Sequence, residues 1–266
     1  GQDLNKTKKL HPDALERARV CLAGFKKEID QFKPEKILAF ATSAARDAEN
    51  NQEFFELCSS LGIPVSIITG NNEALATYRG VFWGQIENTS YNLLIDIGGG
   101  STEIILGSGM NLIESTSIDV GAVRMTEKWI TKYPISQLQK NHLKEDVVQK
   151  LSSYLGGLKE YNINKVYAVA GTPTTLAAAT MGGVFDADRI EGYTFTLGDL
   201  ENWENKLSKA TVSEIINDLH IPKGRADIIY SGVVILRLIL KTIKFDKVIV
   251  STKGVRFGVV ASQFLG

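Results

Sequence analysis

The chain has no excess of charge of either sign. Its 266 residues include 30 lysines and arginines and 30 aspartates and glutamates, so the formal net charge at pH 7 is zero. A protein without a positive field does not collect nucleic acid or an anionic membrane surface over long distances. We therefore expect neither of these as a partner, and any anion-binding site has to be formed by a local group of residues.

Cysteine, histidine and long hydrophobic runs are also scarce. Cys21 and Cys58 both fall in apolar helical patterns, which predicts reduced, buried core residues and favours a cytoplasmic protein. The three histidines lie in polar or helix-edge settings, so we expect structural or surface roles for them. The longest apolar stretch, residues 228–243, is interrupted by Arg237 and Lys241 and predicts a buried helix, not a membrane span. The sequence begins at Gly1 rather than Met, so we expect a fragment whose targeting cannot be read.

Hydrophobic residues make up 44% of the chain, enough for two modest cores. In the first part, the apolar periodicity predicts a helix over residues 12–31, a second helix that includes Phe54 and ends near Gly62, and a third over about 72–86, with strands over 37–41 and 64–69. The strand at 37–41 is a nearly unbroken apolar run, which is typical of a strand buried on both faces of a parallel sheet.

The second part predicts a larger set of elements. Three strands over residues 91–97, 102–106 and 112–118 form an antiparallel meander, with glycine turns at 98–100 and 107–109. The later predicted helices cover residues 122–132, 136–156, 199–207, 211–219 and 255–265, together with one segment after 171 and one that ends at 243. The later predicted strands cover residues 165–170, 193–196 and 248–251. The order of predicted elements in the first part is that of the second part without the hairpin and the third strand of the second part. We therefore expect that the first domain lacks its amino-terminal strands in this chain.

The most informative local feature is the glycine turn that follows the strand at residues 91–97. Three glycines permit close approach of backbone N–H groups to an anion, and hydroxyl side chains after them add donors. A carboxylate beside such a phosphate site is expected to share a divalent cation with the phosphate, since Mg²⁺ takes oxygen ligands from both. The turn consists of Asp96, Ile97, Gly98, Gly99, Gly100, Ser101, Thr102 and Glu103.

A related turn follows the strand at residues 165–170. Gly171 and Thr172 stand there at the start of a helix of small residues, where backbone donors favour a second phosphate. Glu73, at the start of its helix, is by position alone a carboxylate favoured by the helix dipole. Arg46 by itself predicts only a solvated surface residue.

Taken together, these segments resemble the exopolyphosphatase and guanosine pentaphosphate phosphohydrolase family. The resemblance extends over essentially the whole chain, through residues 42–48, Glu73 and its helix, 96–103, 170–176 and 251–258. It implies an α/β fold of two ribonuclease-H-like domains, as in actin, sugar kinases and heat-shock chaperones, with the active site in the cleft between them. The implied domains are residues 1–76 and 77–253, with the closing helix at 254–266 returning onto the first domain.

The resemblance also implies residue roles and a cofactor. Glu73 would be the general base, Arg46 a phosphate contact, and Asp96 and Glu103 the residues that hold or orient Mg²⁺. The glycine turn, with Ser101 and Thr102, and the turn at Gly171 and Thr172 would bind successive phosphates. In-line attack of water on a terminal phosphoryl group then depends on positioning and charge neutralisation.

Two departures from the family pattern bear on this prediction. The family opens with a strand and a first phosphate loop of the Asp-Xaa-Gly-Ser type, which has no counterpart here. Its closing motif has a Glu after the Arg equivalent to Arg256, where this chain has Phe257. Inorganic polyphosphate and guanosine pentaphosphate both stay open as substrates. A kinase of the same superfamily, a non-catalytic polyphosphate or alarmone sensor, and a homodimer also stay open.

Overall fold

The protein divides into two compact units. The computed structural model describes residues 4–84 and 90–263. The division falls between Glu73 and Ala74, three residues before the boundary predicted from the sequence. The described part of the closing segment, up to Gln263, belongs to the second unit, and its predicted return onto the first domain stays a prediction.

The first unit is built on a two-stranded sheet. Its strands are parallel, with Ala39 aligned to Val65, which confirms the predicted parallel pairing. Helix α5 begins in this unit and ends in the second; its predicted end at Ile86 lies outside the described residues. The elements are α1 (Leu4–Thr7), α2 (Pro12–Phe32), β1 (Ala39–Ala41), α3 (Ser43–Arg46), α4 (Asn51–Ser60), β2 (Val65–Ile67) and α5 (Gly70–Phe82).

Burial in the first unit is lower than the sequence predicts. Phe40 and Ile67 lie on opposite faces of the sheet and are 43% and 44% exposed, so the prediction of a strand buried on both faces is wrong. No residue of α2 is fully buried, and Cys21 on this helix is exposed, which corrects its predicted place in a core. Cys58 is buried as predicted, and burial raises the pKa of its thiol.

The second unit has a six-stranded sheet covered on both faces. The predicted end of its last helix at Leu265 lies outside the described residues. Its elements after α5 are β3 (Tyr91–Ile97), β4 (Thr102–Ser108), β5 (Asn111–Ile118), α6 (Ala122–Trp129), α7 (Gln137–Leu155), β6 (Ile163–Val169), α8 (Gly171–Thr180), α9 (Ala187–Ile190), β7 (Thr194–Thr196), α10 (Leu197–Lys209), α11 (Val212–Asn217), α12 (Ile229–Ile243), β8 (Lys247–Val250) and α13 (Val255–Ala261).

The strand order of this sheet is β5-β4-β3-β6-β8-β7. The first three strands form the predicted antiparallel meander, and β3, β6 and β8 are parallel to one another. Because the carboxyl ends of parallel strands meet at one edge, the loops that follow β3, β6 and β8 lie along the same edge of the sheet.

Two apolar clusters cover the faces of this sheet. The larger one packs around α12, whose residues from Ile229 to Leu240 are all buried, as the sequence predicts. The smaller one places Tyr78 and Phe82 of α5 against Leu94 and neighbouring strand residues. Gly107 was predicted in a turn but lies in β4. A Cβ there would be 2.3 Å from the Tyr78 ring, so the close approach requires glycine at this position. Among the described helices, none has both the length and the hydropathy of a membrane span.

Candidate active site

The glycine turn joins β3 to β4 at the edge where the parallel strands end. Asp96 and Glu103 are directly opposite each other in the antiparallel register, so both side chains point to the same face of the sheet, and both are partly exposed. The Gly98 N–H donates to the Ser101 carbonyl at 2.9 Å and closes the turn. The turn therefore presents two carboxylates side by side, one on each strand.

Helix α6 fixes the orientation of this turn. The carbonyls of Gly98 and Gly99 accept hydrogen bonds of 2.9–3.0 Å from backbone N–H groups in the first turn of α6, and Arg124 Nε donates to the Gly100 carbonyl at 2.6 Å. A Cβ on Gly121 would lie 2.4 Å from the Gly99 carbonyl oxygen, so the close approach requires glycine. Within the described residues, the N–H groups of Gly99 and Gly100 have no backbone acceptor, which leaves them available to an anion.

The hydroxyl groups of the turn are used differently from the prediction. Ser101 and Ser117 each donate to Glu103 Oε1 at 2.7 Å and hold that carboxylate in place. The buried Thr102 hydroxyl donates to the Val120 carbonyl, which corrects its expected use as a phosphate donor. The sequence pattern identifies the hydroxyls but not their acceptors, because Val120 is 18 residues away along the chain.

The second turn joins β6 to α8. Ala170 has φ 67° and ψ −164°, a conformation nearly reserved for glycine that costs about 1–3 kcal/mol and is found mainly at functional sites. Gly171 is the first residue of α8, and a Cβ on it would lie 2.1 Å from the Arg225 guanidinium. The guanidinium therefore lies against the amino end of α8, where helix N–H groups and the helix dipole also favour an anion.

The Thr172 side chain points away from this anion site. It is buried, and a Cβ on Gly232 of α12 would lie 2.3 Å from its hydroxyl oxygen, so the Thr172 hydroxyl packs against α12. This corrects the expected hydroxyl donor and leaves the backbone N–H of Thr172 as the remaining donor at this position.

Arg225 carries only a weak signal in the sequence and was not among the predicted site residues. It lies between α11 and α12, 54 positions beyond Gly171, and no spacing rule connects the two. A weak signal exists in Lys223-Gly224-Arg225, two cations around a glycine in a loop. Only the close approach to Gly171 separates Arg225 from an ordinary surface arginine.

In the first unit, the fold brings Arg46 and Glu73 together. Arg46 Nη1 lies 3.8 Å from Glu73 Oε2 and donates to the Ile68 carbonyl at 3.0 Å. The Glu73 N–H donates to the Thr69 carbonyl at 2.8 Å, so Glu73 lies in the first turn of α5. Their side chains are 34% and 25% exposed, so both can be reached from solvent. The sequence predicted a role for each of these residues separately, and the structure places their side chains within ion-pair distance.

The two carboxylates of the glycine turn suit a Mg²⁺ ion that is shared with a phosphate, not a metal ion that is held by protein side chains alone. In the described parts of the chain, no three or more acidic, histidine or cysteine residues come together as a metal centre. Mg²⁺ is commonly bound by one or two carboxylates together with water and substrate phosphates. Asp96 and Glu103, beside free N–H groups that suit a phosphate, are a donor set of this kind.

A solved structure shares this fold. A Ppx/GppA family member from Aquifex aeolicus superposes with a TM-score of 0.82 and 29% identity, and the match covers 99% of this chain and 85% of that one.

Three relatives align over nearly the whole chain. A bifunctional 3-dehydroquinate synthase/phosphatase of Fusobacterium nucleatum is 32% identical over 98% of this chain, which spans only 40% of that protein. Exopolyphosphatase 2 of Mycobacterium tuberculosis is 27% identical, with 98% of this chain and 85% of the relative aligned. A guanosine-5'-triphosphate,3'-diphosphate pyrophosphatase of Vibrio cholerae is 26% identical, and this chain spans 49% of it.

The sequence pattern of one phosphatase family matches residues 1–265. This match agrees with the similarity in fold and with the resemblance of the individual motifs. The chain belongs to the Ppx/GppA phosphatase family.

Proposed function

We propose that the protein is a Mg²⁺-dependent phosphoanhydride hydrolase that releases the terminal phosphate of inorganic polyphosphate, of guanosine pentaphosphate, or of both. The observation that supports it most is the glycine turn, in which free N–H groups lie beside the Asp96 and Glu103 carboxylates. An anion and a cation are both favoured there, which is the requirement for binding a phosphate with Mg²⁺.

Arg225 at the amino end of α8 supports a second phosphate position. The loops after β3 and β6 lie along one edge of the sheet, and β3 and β6 are neighbouring strands, so the two anion positions are about 5 Å apart in the strand-pairing direction. A substrate with several linked phosphates can occupy both positions. A single phosphate ester cannot.

The proposed chemistry is attack of water on the terminal phosphorus. Glu73 accepts a proton from the water, the new O–P bond forms, and the bridging P–O bond breaks, so that the shortened phosphate chain leaves as an anion. Asp96 and Glu103 would hold Mg²⁺, which supplies neutralisation of the phosphate charge. Arg46 and Arg225 contact phosphate oxygens, and Glu103 is kept in position by Ser101 and Ser117.

The test is release of phosphate from polyphosphate and from guanosine pentaphosphate, measured side by side with Mg²⁺ and with EDTA. We expect turnover of at least one substrate that stops when EDTA is added. Arg225→Lys is expected to raise KM, because an ammonium does not reproduce the planar fork of a guanidinium.

The competing outcome is a sensor. Tight binding of either compound without phosphate release, in a chain that also contains any missing amino-terminal segment, would replace the hydrolase proposal by a non-catalytic binding protein. Turnover that persists in EDTA would remove Mg²⁺ from the proposal and leave the hydrolase.

A further inference from the structure

The first turn of α6 binds three consecutive carbonyls of the glycine turn. The carbonyls of Gly98 and Gly99 accept hydrogen bonds of 2.9–3.0 Å from the first three N–H groups of α6. The next carbonyl, that of Gly100, accepts from a side chain instead, because Arg124 Nε donates to it at 2.6 Å. All three carbonyls therefore face α6, and the third is held there by an arginine.

The direction of these carbonyls sets the direction of the N–H groups that follow them. The peptide bonds of the glycine turn are trans, and in a planar trans peptide the C=O and the N–H point in opposite directions. The N–H groups of Gly99, Gly100 and Ser101 therefore point away from α6. Among the residues that the structure describes, none of these three N–H groups has a backbone acceptor. Successive N–H groups on one side of a turn form a concave anion site.

The Arg124 side chain is fixed at the turn by a second contact. Its Nη2 donates to Asp119 Oδ1 at 3.1 Å, and a Cβ on Gly100 would lie 3.6 Å from the same nitrogen. The Asp119 carbonyl accepts a hydrogen bond from Lys150 Nζ at 3.2 Å, which ties this backbone to α7. The Arg124 side chain is 28% exposed, so small ions in solution reach it. The guanidinium is thus held between the Gly100 carbonyl and a carboxylate, at the edge of solvent.

A charged donor on one side of a peptide affects the donor on its other side. Hydrogen bonds with an ionised partner are shorter and stronger than neutral ones, and linked hydrogen bonds polarise one another. The guanidinium on the Gly100 carbonyl therefore strengthens the Ser101 N–H as a donor and fixes its direction. Without the guanidinium this peptide is free to turn, because glycine at position 100 permits many backbone conformations.

We propose that Arg124 is a positioning residue of the phosphate site, which holds the Gly100–Ser101 peptide so that the Ser101 N–H becomes the third donor of the glycine turn. Arg124 does not contact the phosphate, since its guanidinium lies on the α6 side of the turn and the N–H groups point to the other side. The inference rests on the proposed function and deepens it, because it places the control of a backbone phosphate contact in a side chain outside the turn.

Ser101 then has two roles at the site. Its hydroxyl donates to Glu103 Oε1 at 2.7 Å and holds that carboxylate, while its N–H faces the anion. The orientation that Arg124 gives to this residue therefore bears on the carboxylate and on the phosphate together.

The experiment follows the backbone amide signals of the full chain, labelled with ¹⁵N-glycine and ¹⁵N-serine, by NMR while inorganic phosphate is added with Mg²⁺. Inorganic phosphate is the probe because it has no phosphoanhydride bond to hydrolyse. We expect the Gly99, Gly100 and Ser101 amide protons to move downfield as phosphate binds. In Arg124→Ala the Ser101 amide should no longer respond while the Gly99 amide still does. Phosphate affinity should fall about 10-fold, the effect of losing one hydrogen bond to a charged group.

Added guanidinium separates positioning from a purely structural role. Millimolar guanidinium, far below the molar concentrations that unfold proteins, should occupy the space left in Arg124→Ala and restore the Ser101 response. Tetramethylammonium is the control cation, because it carries the charge without N–H donors. Arg19→Ala, which removes an exposed arginine of α2 that pairs with Glu16, is the matched variant and should change neither the amide response nor the affinity. Circular dichroism checks folding, and Arg124→Gln, with a smaller expected Ser101 shift, replaces Arg124→Ala if that variant is unstable.

The outcomes separate this inference from the proposed function. A Ser101 amide that does not respond to phosphate in the unchanged protein, or that responds equally in the Arg124 variants, overturns the inference even if polyphosphate is hydrolysed. Loss of the response in Arg124→Ala that guanidinium does not restore assigns Arg124 a structural role and also overturns it. A Ser101 response that depends on Arg124 and returns with guanidinium upholds the inference even if neither substrate is hydrolysed, in which case the hydrolase proposal fails.

Discussion

The two units of the molecule differ in how much apolar surface they bury. The second unit covers both faces of a six-stranded sheet with side chains such as Tyr230, Phe195 and Leu93 that are almost fully buried. The first unit has a two-stranded sheet, a 21-residue helix without a fully buried residue and, among its described residues, six buried apolar residues, three of which are alanines. A sheet of two strands is marginal in water, whereas six strands packed on both faces form an independent core.

The predicted site residues of the two units therefore lie on elements that are packed to different degrees. The glycine turn and Gly171 follow central strands of the larger sheet, where a positioned backbone can bind phosphate with little reorganisation. Arg46 and Glu73 lie in the thinly packed unit, and their geometry there depends on few contacts. Five experiments test this difference between the two units.

The largest expected effect concerns folding of the separated units. A fragment of residues 74–266 should unfold in a cooperative thermal transition, because it keeps both apolar clusters of the larger sheet. A fragment of residues 1–84 should show no such transition. Circular dichroism during heating measures both. A cooperative transition in the shorter fragment would show that the first unit is more stable than its burial indicates.

Glu73→Gln tests whether the thinly packed unit supplies the chemistry. Loss of the general base should lower kcat by about 100-fold or more while leaving binding of polyphosphate largely intact. Phosphate release and equilibrium binding are measured on the same variant. Glu56→Gln, on the exposed surface of α4, is the matched control and should behave as the unchanged protein. Turnover that is equal in both variants would remove Glu73 from the role of base.

Gly258→Ala tests the close packing of the second unit. The added Cβ would overlap the Ala76 backbone, so the free energy of unfolding should fall by about 3 kcal/mol. Chemical denaturation measures the change. Gly254→Ala, at the N-cap of α13 one turn earlier, is the control. No atom lies within 4 Å of the position that its Cβ would take, so it should cost only the difference between a glycine cap and an alanine cap, about 0.5–1 kcal/mol. Equal effects of the two substitutions would show that α5 and α13 do not meet in backbone contact.

Gly171→Ala tests the placement of Arg225. The atoms nearest to its new Cβ belong to the flexible guanidinium of Arg225, so the melting temperature should change little. KM should rise about 10-fold, the effect of weakening one charge-assisted hydrogen bond to phosphate. Gly198→Ala, in the first turn of α10, is the control, since its Cβ would meet only the Thr196 hydroxyl at 3.7 Å. An unchanged KM in Gly171→Ala would place Arg225 outside the phosphate site.

Gly24→Ala is expected to have the smallest effect, and the opposite sign. Gly24 lies inside α2 with no atom within 4 Å of a Cβ position. Alanine there should stabilise the protein by about 0.5–1 kcal/mol, because it restricts the unfolded chain and favours the helix. Denaturation compares it with the Gly258→Ala variant. A loss of stability would indicate that this face of α2 is covered by another segment.

Much of the second unit is predictable from the sequence, because its strands and helices are long and their patterns are regular. The meander and the buried α12 are both observed as predicted. The first unit was predicted less well. The apolar strand at residues 37–41 has the pattern of a buried strand, but burial depends on what covers it, and Phe40 remains exposed.

The family, the parallel pairing of β1 with β2, and the glycine turn with its two carboxylates could be read from the sequence, because each of them leaves a local pattern along the chain. The folded chain was needed to show that the Thr102 and Thr172 hydroxyls are buried, that Arg225 lies at Gly171 and that Arg46 lies beside Glu73. Each of these contacts joins residues at least 18 positions apart. Such contacts are set by the packing of whole elements, which local periodicity does not record.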